Sequence, residues 1–238
     1  MNYACLLKCG GEYNEAHVRR LFYQVKRADP EYENFYVFTD STEASELPGV
    51  VIPLEEGLSR WWGKLQILNR SDLGRVCYLD LDLNIPEPLD WLAEYPTNNG
   101  EFWAQEDEYQ GKAVGNLCSS TMLWEGCHYT FGMQWAKTEI QKYERDKETG
   151  VPPFHADQGY IQYILASYKL FPLEIFANYP FNLDQRWVNA KIHFYPRIRP
   201  WHVKNHDWPN KEAEMDLYNH VWVPDKTGTP ATIGWANS

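Results

Sequence analysis

The first fifty-three residues alternate in a way that leaves few folds open. Residues 3–7 are a short apolar run, closed by the turn residues Lys8, Cys9, Gly10 and Gly11. A helical pattern follows. Asn14 is placed to cap it, Ala16, Val18, Leu21, Phe22 and Val25 line one stripe, and Asp29-Pro30 stops it after Ala28. Residues 35–38 are a second apolar strand, ending at Thr39-Asp40. Residues 50–52, after the polar stretch 41–46, are a third. Strand, helix, strand, strand predicts an α/β protein with a largely parallel sheet. Its ligands then sit beyond the carboxyl ends of the strands.

Residues 75–85, RVCYLDLDLNI, place chemistry at such an end. The apolar run Val76, Cys77, Tyr78 and Leu79 leads into Asp80 and Asp82. On an extended chain residues i and i+2 point to the same side, so both carboxylates reach one point beyond the strand. Two like charges held together repel, and each raises the other's pKa. A divalent cation removes the conflict, and hard oxygen donors suit magnesium or manganese, with a nucleotide diphosphate supplying further oxygens. The blander reading is a pair of solvated carboxylates.

The remainder fills out the same layout. Residues 61–69 read as a short helix carrying Lys64, residues 89–94 as another, and 95–100 as a loop. Strands are expected over 102–105 and 118–124, with a polar loop over 106–116 between them. Helices are expected over 129–147 and 155–168, and short strands over 171–175 and 191–194. Beyond Trp201 the chain is polar and aromatic without periodicity, which suggests a tail or lid.

Composition narrows the class of function. A chain of 238 residues is one large domain, or one with a short tail. The formal net charge of −11 opposes unassisted binding to nucleic acid or to anionic membrane. No apolar run approaches the roughly 20 residues needed to span a bilayer, and the apolar stretch at the N-terminus is too short for a signal peptide. The five cysteines, Cys5, Cys9, Cys77, Cys118 and Cys127, form no C-x-x-C and read as free thiols of a reducing cytoplasm. Aromatics make up 16% of the chain, with 11 tryptophans, which suits a protein that holds rings or sugars as well as a large core.

Taken in order, these segments resemble the metal-dependent glycosyltransferases of the GT-A fold, closest to family 8 (glycogenin and the bacterial galactosyltransferases) and small bacterial or phage relatives. The resemblance runs over residues 3–201. Residues 3–11 are similar to the first strand and nucleotide loop, FYVFTD (35–40) to the second strand, and WWGKLQIL (61–68) to the helix whose basic residue meets the diphosphate. YLDLD (78–82) resembles the metal-binding D-x-D, and SSTMLW (119–124) the acceptor-side strand. Asp157-Gln158 resembles the family's D-Q near the sugar, and HFYPRIRPW (193–201) resembles H-x-x-G-x-x-K-P-W, whose histidine binds metal. Pro196 replaces the family's Gly, Arg199 its Lys, and Cys118 its Asn. Arginine keeps the charge and adds a bidentate fork for phosphate, whereas proline removes an N–H and the freedom to take positive φ.

The resemblance implies a single GT-A, Rossmann-like α/β domain with a mixed central sheet over 1–201, and residues 202–238 packed on it as a tail or lid. It implies a glycosyltransferase, hexosyltransferase-like and retaining, using Mn2+ or Mg2+ and a nucleotide-diphosphate sugar, a UDP-sugar before others. Asp80, Asp82 and His193 would be the metal ligands, and the imidazole favours manganese. Lys64 and Arg199 would face the diphosphate, with Lys8 and Arg60 behind them. Tyr13 would stack on the base, Thr39 and Asp40 would bond base or ribose, and Asp80 would also face the donor. Asp157 would hold donor hydroxyls, with Gln158 beside the anomeric carbon. The acceptor stays open: a saccharide, a protein, a lipid-linked glycan or a modified nucleobase. Two other classes compete: a nucleotidyltransferase of similar build, and a non-catalytic carbohydrate- or nucleotide-binding protein. The first needs a longer glycine-rich basic loop than residues 8–11 provide. The second has no need of Asp80, Asp82 and His193 together.

Overall fold

A computed structural model describes residues 1–11, 13–58, 60–98, 100–107, 116–128, 132–148, 156–178, 189–194, 223–224 and 230–231. At its centre is a seven-stranded mixed sheet. The strands are β1 (Asn2–Leu7), β2 (Asn34–Thr39), β3 (Val50–Pro53), β4 (Arg75–Leu79), β6 (Trp103–Glu106), β7 (Leu117–Glu125) and β8 (Lys169–Leu170), in the order β3-β2-β1-β4-β7-β6-β8. The first four of that order are parallel. β7 runs antiparallel to β4 and to β6, and β8 is parallel to β6. The parallel run expected from the opening alternation is therefore β3-β2-β1-β4, with the short β6–β8 pair the one other parallel pairing in this sheet among the described residues. After β1 the chain moves outward through β2 and β3, then returns to lay β4 on β1's other edge. That reversal between β1 and β4 is a topological switch point, where open α/β sheets bind ligands at their carboxyl ends.

Burial explains why β1 is an interior strand. All six of its residues are buried. Ala4 and Leu6 enter one apolar cluster, with Leu65, Ile67, Ala136, Ile140, Tyr160 and Ile161. Tyr3, Cys5 and Leu7 enter the other, with Val18, Leu21 and Val25. A strand covered on both faces reads as a continuous apolar run, as this one does. One face is closed by α1 (Glu15–Ala28), capped by a capping box of Asn14 and His17. The other is closed by α2 (Lys64–Leu68), α3 (Met133–Glu148) and α4 (Ala156–Ile164).

A second sheet is small: β5 (Leu83–Asn84), β10 (Ile192–Phe194) and β9 (Phe176–Asn178), in the order β5-β10-β9. β10 is antiparallel to β5 and parallel to β9. Pro86 and Pro88 break the chain just after β5, and nothing in the sequence marks Leu83–Asn84 as a strand. Two further elements depart from the sequence reading. The helix expected to reach residue 168 ends at Ile164, because the Lys169 and Phe171 amides are taken by the carbonyls of Phe102 and Ala104 at the β6 edge. The strand expected over 171–175 is instead a 3-10 turn, Leu173–Ile175, introduced by Pro172 and followed by β9. Of the stretch beyond 201, β11 (Val223–Pro224) and β12 (Pro230–Ala231) are described; they pair with each other, and β11 lies beside α1.

Candidate active site at the carboxyl end of β4

Period-two alternation puts Tyr78 and Asp80 on one side of β4. The Asp80 amide continues the ladder by donating to the Ser120 carbonyl at 2.9 Å, so the carboxylate leaves the sheet at a fixed point. Tyr78 Oη donates to Asp80 Oδ1 at 2.6 Å. Facing them is Lys64, at the start of α2 and only 4% exposed. Its ammonium lies 3.1 Å from Asp80 Oδ1, 3.0 Å from Asp157 Oδ2, and 3.0 and 3.2 Å from the hydroxyl and carbonyl of Ser119. It also sits 5.1 Å from the centre of the Tyr78 ring. Ser119 Oγ donates to Asp157 Oδ2 at 2.7 Å. Four segments, each remote from the others in sequence, thus meet on one buried cation.

The charge balance leans negative. Burial, with the charges of Asp82 and Asp157, pushes the Asp80 carboxyl up to about 6 against the pull of Lys64 and the Tyr78 hydrogen bond. Burial works against the charge on Lys64, but Asp157 and Asp80 outweigh it and hold its pKa above the usual lysine range. Lys64, expected on the diphosphate, is already bonded to two carboxylates.

Asp82 is 5% exposed and accepts from Tyr13 Oη at 3.0 Å through Oδ2. Tyr13, expected on the nucleobase, is thereby tied to the acidic pair. His193, 4% exposed, is opposite Asn84 in the β5–β10 pairing, and Asp82 lies two residues before Asn84. Asp82 thus enters β5 from the turn just before it, at the end of the strand that pairs with β10. Among the described residues, no three of His, Cys, Asp and Glu are gathered closely enough to hold a metal as they stand. The donor chemistry nonetheless fits a divalent cation: two carboxylates, an imidazole, and an Asp80 carboxyl raised first by burial and further by the charge of Asp82. Each carboxylate has lone pairs beyond those its present donors use.

The nucleotide-side expectations fall at the ends of β1 and β2. Lys8 is ion-paired with Asp40, and the Cys9 amide donates to Asp40 Oδ1 at 2.8 Å. Thr39 is buried, and its hydroxyl accepts from the Ser41 amide at 3.0 Å, which makes it a turn former. Gln158, beside Asp157 on α4, donates to Asp107 Oδ2 at 2.7 Å. Arg199, with Pro196 and Trp201, lies outside the described residues. Ala156, just before Asp157, takes positive φ at 54°, and Arg60, just before Trp61, at 51°. Non-glycine residues rarely adopt this conformation, which concentrates at functional sites.

Sequence reasoning assigned no role to Ser119, Tyr78 or Asp107. Tyr78 was detectable by its i−2 relation to Asp80. Ser119 sat within the noted SSTMLW motif, without a partner to reveal its bond. Nothing in the sequence points to Asp107.

No family model matches the chain, and no curated protein matches it in sequence. Solved structures do. The galactosyltransferase LgtC, in complex with donor and acceptor sugar analogues, aligns with a TM-score of 0.62 at 15% identity, covering 91% of this chain and 95% of that one. An active-site mutant of LgtC gives 0.61 at 14% identity over 92% and 96%. The glycosyltransferase GlyE of Streptococcus pneumoniae TIGR4 gives 0.63 at 12% identity, covering 95% of this chain and 61% of that one. The fold is the GT-A fold of these glycosyltransferases, as the motif order implied.

Proposed function

We propose that this chain is a metal-dependent glycosyltransferase that transfers a hexose, with retention, from a nucleoside-diphosphate sugar, a UDP-sugar first, to an acceptor. The observation that carries the reading is the Lys64 cluster: Asp80, Asp157 and Ser119 are drawn together at the switch point of a GT-A fold. Asp80, Asp82 and His193 would hold a divalent cation, manganese before magnesium. When bound, that ion stabilises the negative charge that grows on the leaving diphosphate.

The chain's own residues divide the remaining work. Lys64 and Ser119 fix the Asp157 carboxylate, which then accepts from donor hydroxyls and orients the sugar. Gln158, held by Asp107, stands next to it at the anomeric carbon. An amide is a weak nucleophile, so the acceptor attacks from the face the diphosphate leaves, and the departing phosphate oxygen takes the acceptor's proton. Lys8, Asp40 and Tyr13 line the nucleotide side, and Arg199 supplies positive charge to the diphosphate. Residues 1–201 form the catalytic unit and 202–238 fold over it; β11 beside α1 is in keeping with that return. Among the described residues no helix is long and apolar enough to cross a membrane. The five cysteines are free thiols, and the setting proposed for the chain is a reducing cytoplasm.

Thermal unfolding with Mn2+ and UDP, GDP or CMP tests this reading, since a ligand that binds only the folded state raises the Tm. UDP with Mn2+ is expected to give the largest rise. Asp82→Ala is expected to abolish that rise and leave the ligand-free Tm near wild type. A rise that survives chelation, or survives Asp82→Ala, overturns the metal assignment.

A further inference from the structure

Helix α1 carries a polar row for which the chemistry above has no use. Arg20, Gln24 and Arg27 occupy positions i, i+4 and i+7 and share one face. Arg20 is 2% exposed and Gln24 4%, so two strongly polar side chains lie inside an apolar layer. All three are directed at the backbone of residues 81–85. Arg20 donates to the carbonyls of Leu81 and Leu83, the second at 3.4 Å, and these carbonyls flank Asp82. Gln24 uses both ends of its amide: Nε2 donates to Asn84 Oδ1 at 3.3 Å, and Oε1 accepts from the Ile85 amide at 3.0 Å. Arg27 donates to the Ile85 carbonyl.

The order of the contacts follows the helix. Arg20 takes the turn at 81–82 and the first residue of β5, and Gln24 and Arg27, one and two turns further along α1, take Asn84 and Ile85. Helix row and segment therefore run the same way. β5 is an edge strand of its small sheet, so its outer backbone groups need partners that the β5–β10 ladder does not give. An ordinary apolar helix face would leave them buried without any.

The same short segment sets the geometry of two of the three proposed ligands. Asp82 stands between the carbonyls that Arg20 holds. Asn84, held by Gln24, is the register partner of His193. We propose that Arg20 and Gln24 are positioning residues for the cation site: they fix the backbone of 81–85, from which Asp82 projects and on which His193 is registered through Asn84. The proposal rests on the reading of those two residues as ligands.

The test uses the full chain as wild type, Arg20→Met, Arg20→Lys and Gln24→Met. Mn2+ binding is followed by electron paramagnetic resonance of the free ion in the presence of UDP. Amide hydrogen exchange across 81–85 is followed without ligand. Loss of residues that orient metal ligands typically weakens the metal roughly 10- to 100-fold. That loss is expected for Arg20→Met and Gln24→Met, with faster exchange confined to 81–85. Arg20→Lys is expected to recover part of both, since an ammonium can still reach one carbonyl. Wild-type Mn2+ affinity in both methionine variants, with only a lower Tm, overturns the proposal by showing a purely structural role. Should Arg20→Met fail to fold, Gln24→Met decides alone. If the wild type itself takes up no Mn2+ with UDP, the ligand reading falls and the proposal with it. Normal exchange at 81–85 in the variants would instead fault the clamp alone.

Discussion

Two lysine–aspartate pairs stand at the same end of the sheet, on neighbouring strands, and differ in almost everything else. Lys64 is enclosed, shared between Asp80 and Asp157, with Ser119 and Tyr78 completing its surroundings. Lys8 and Asp40 are each about one-third exposed, at 33% and 31%, and the pair is joined otherwise through the Cys9 amide. Water screens the second pair and not the first. Position at the strand ends makes both pairs accessible to a ligand in principle, but burial decides what each can do. The enclosed lysine is a component of the fold that orders two carboxylates. The open one is a contact that, on the proposed function, a nucleotide replaces.

The comparison breaks most visibly at Lys64. Lys64→Met leaves Asp80 and Asp157 facing each other without their cation. Removing one partner of a buried ion pair typically costs about 3–5 kcal/mol. Urea unfolding of Lys64→Met is expected to show a loss in that range at pH 7. A loss below about 1 kcal/mol would mean that Lys64 is solvated after all and belongs with Lys8.

Arg199 tests whether a third cation acts through rate rather than stability. On the proposed function its charge is needed most as the glycosidic bond breaks, so its removal should lower turnover more than donor affinity. Removing one such electrostatic group costs roughly 2.7–4 kcal/mol, or about a hundred- to a thousandfold in kcat. Arg199→Met is expected to show this, and Arg199→Lys to recover much of it. Steady-state kinetics that place the two variants together would return Arg199 to the role of a surface charge.

Titration separates the two aspartates by sign. Asp80 has its folded pKa raised to about 6 from an ordinary 3.8, first by burial. The folded protein then holds the proton more tightly, so the stability it confers is present below about 3.8 and lost as pH rises to about 6. Asp40 is the reverse. Burial works to raise it, but the Lys8 hydrogen bond and the Cys9 amide prevail and lower it. Its contribution is present above the unfolded pKa and lost as pH falls through the folded one. Urea midpoints measured from pH 3 to pH 7 without metal should differ accordingly. Asp80→Asn gains on the wild type as pH rises through that window, whereas Asp40→Asn loses on it. Parallel curves for the two variants would remove the distinction.

The first half of the fold was legible because its strands are buried on both faces and its helix is amphipathic and capped. β1, α1, β2, β3 and β4 announce themselves by periodicity alone. β5 did not, because two residues followed by Ile-Pro carry no period; tertiary pairing with β10 and the row on α1 make it a strand. The short strands β8 and β9 exist for the same reason, through partners distant in the chain or short themselves. Within the site, Asp80, Asp82 and Lys64 were visible as charges in apolar surroundings. That Lys64 would turn inward to Asp157 was not, because its partner lies far along the chain and only the packed α2 and α4 bring the two together. Ser119 and Asp107 act through hydrogen bonds to residues far along the chain, which leave no imprint on spacing.

The mildest test falls on the open pair. Lys8→Met removes a charge from a partly solvated contact in which Asp40 keeps its bond from the Cys9 amide. Exposed pairs are typically worth about 0.2–1 kcal/mol, so stability should change by no more than that, and by less in high salt. Nucleotide affinity has a different dependence. If Lys8 leaves Asp40 to meet a phosphate, the charge is gained only in the complex, and its loss raises the Kd for the nucleoside diphosphate. Isothermal titration at low and high salt reads this directly. The wild-type advantage should shrink as salt screens the contact, while the small stability difference shrinks in parallel. Lys8→Met with wild-type affinity at every salt concentration would leave the pair a loop fastening. A stability loss approaching that of Lys64→Met would show that burial does not divide the two lysines as argued.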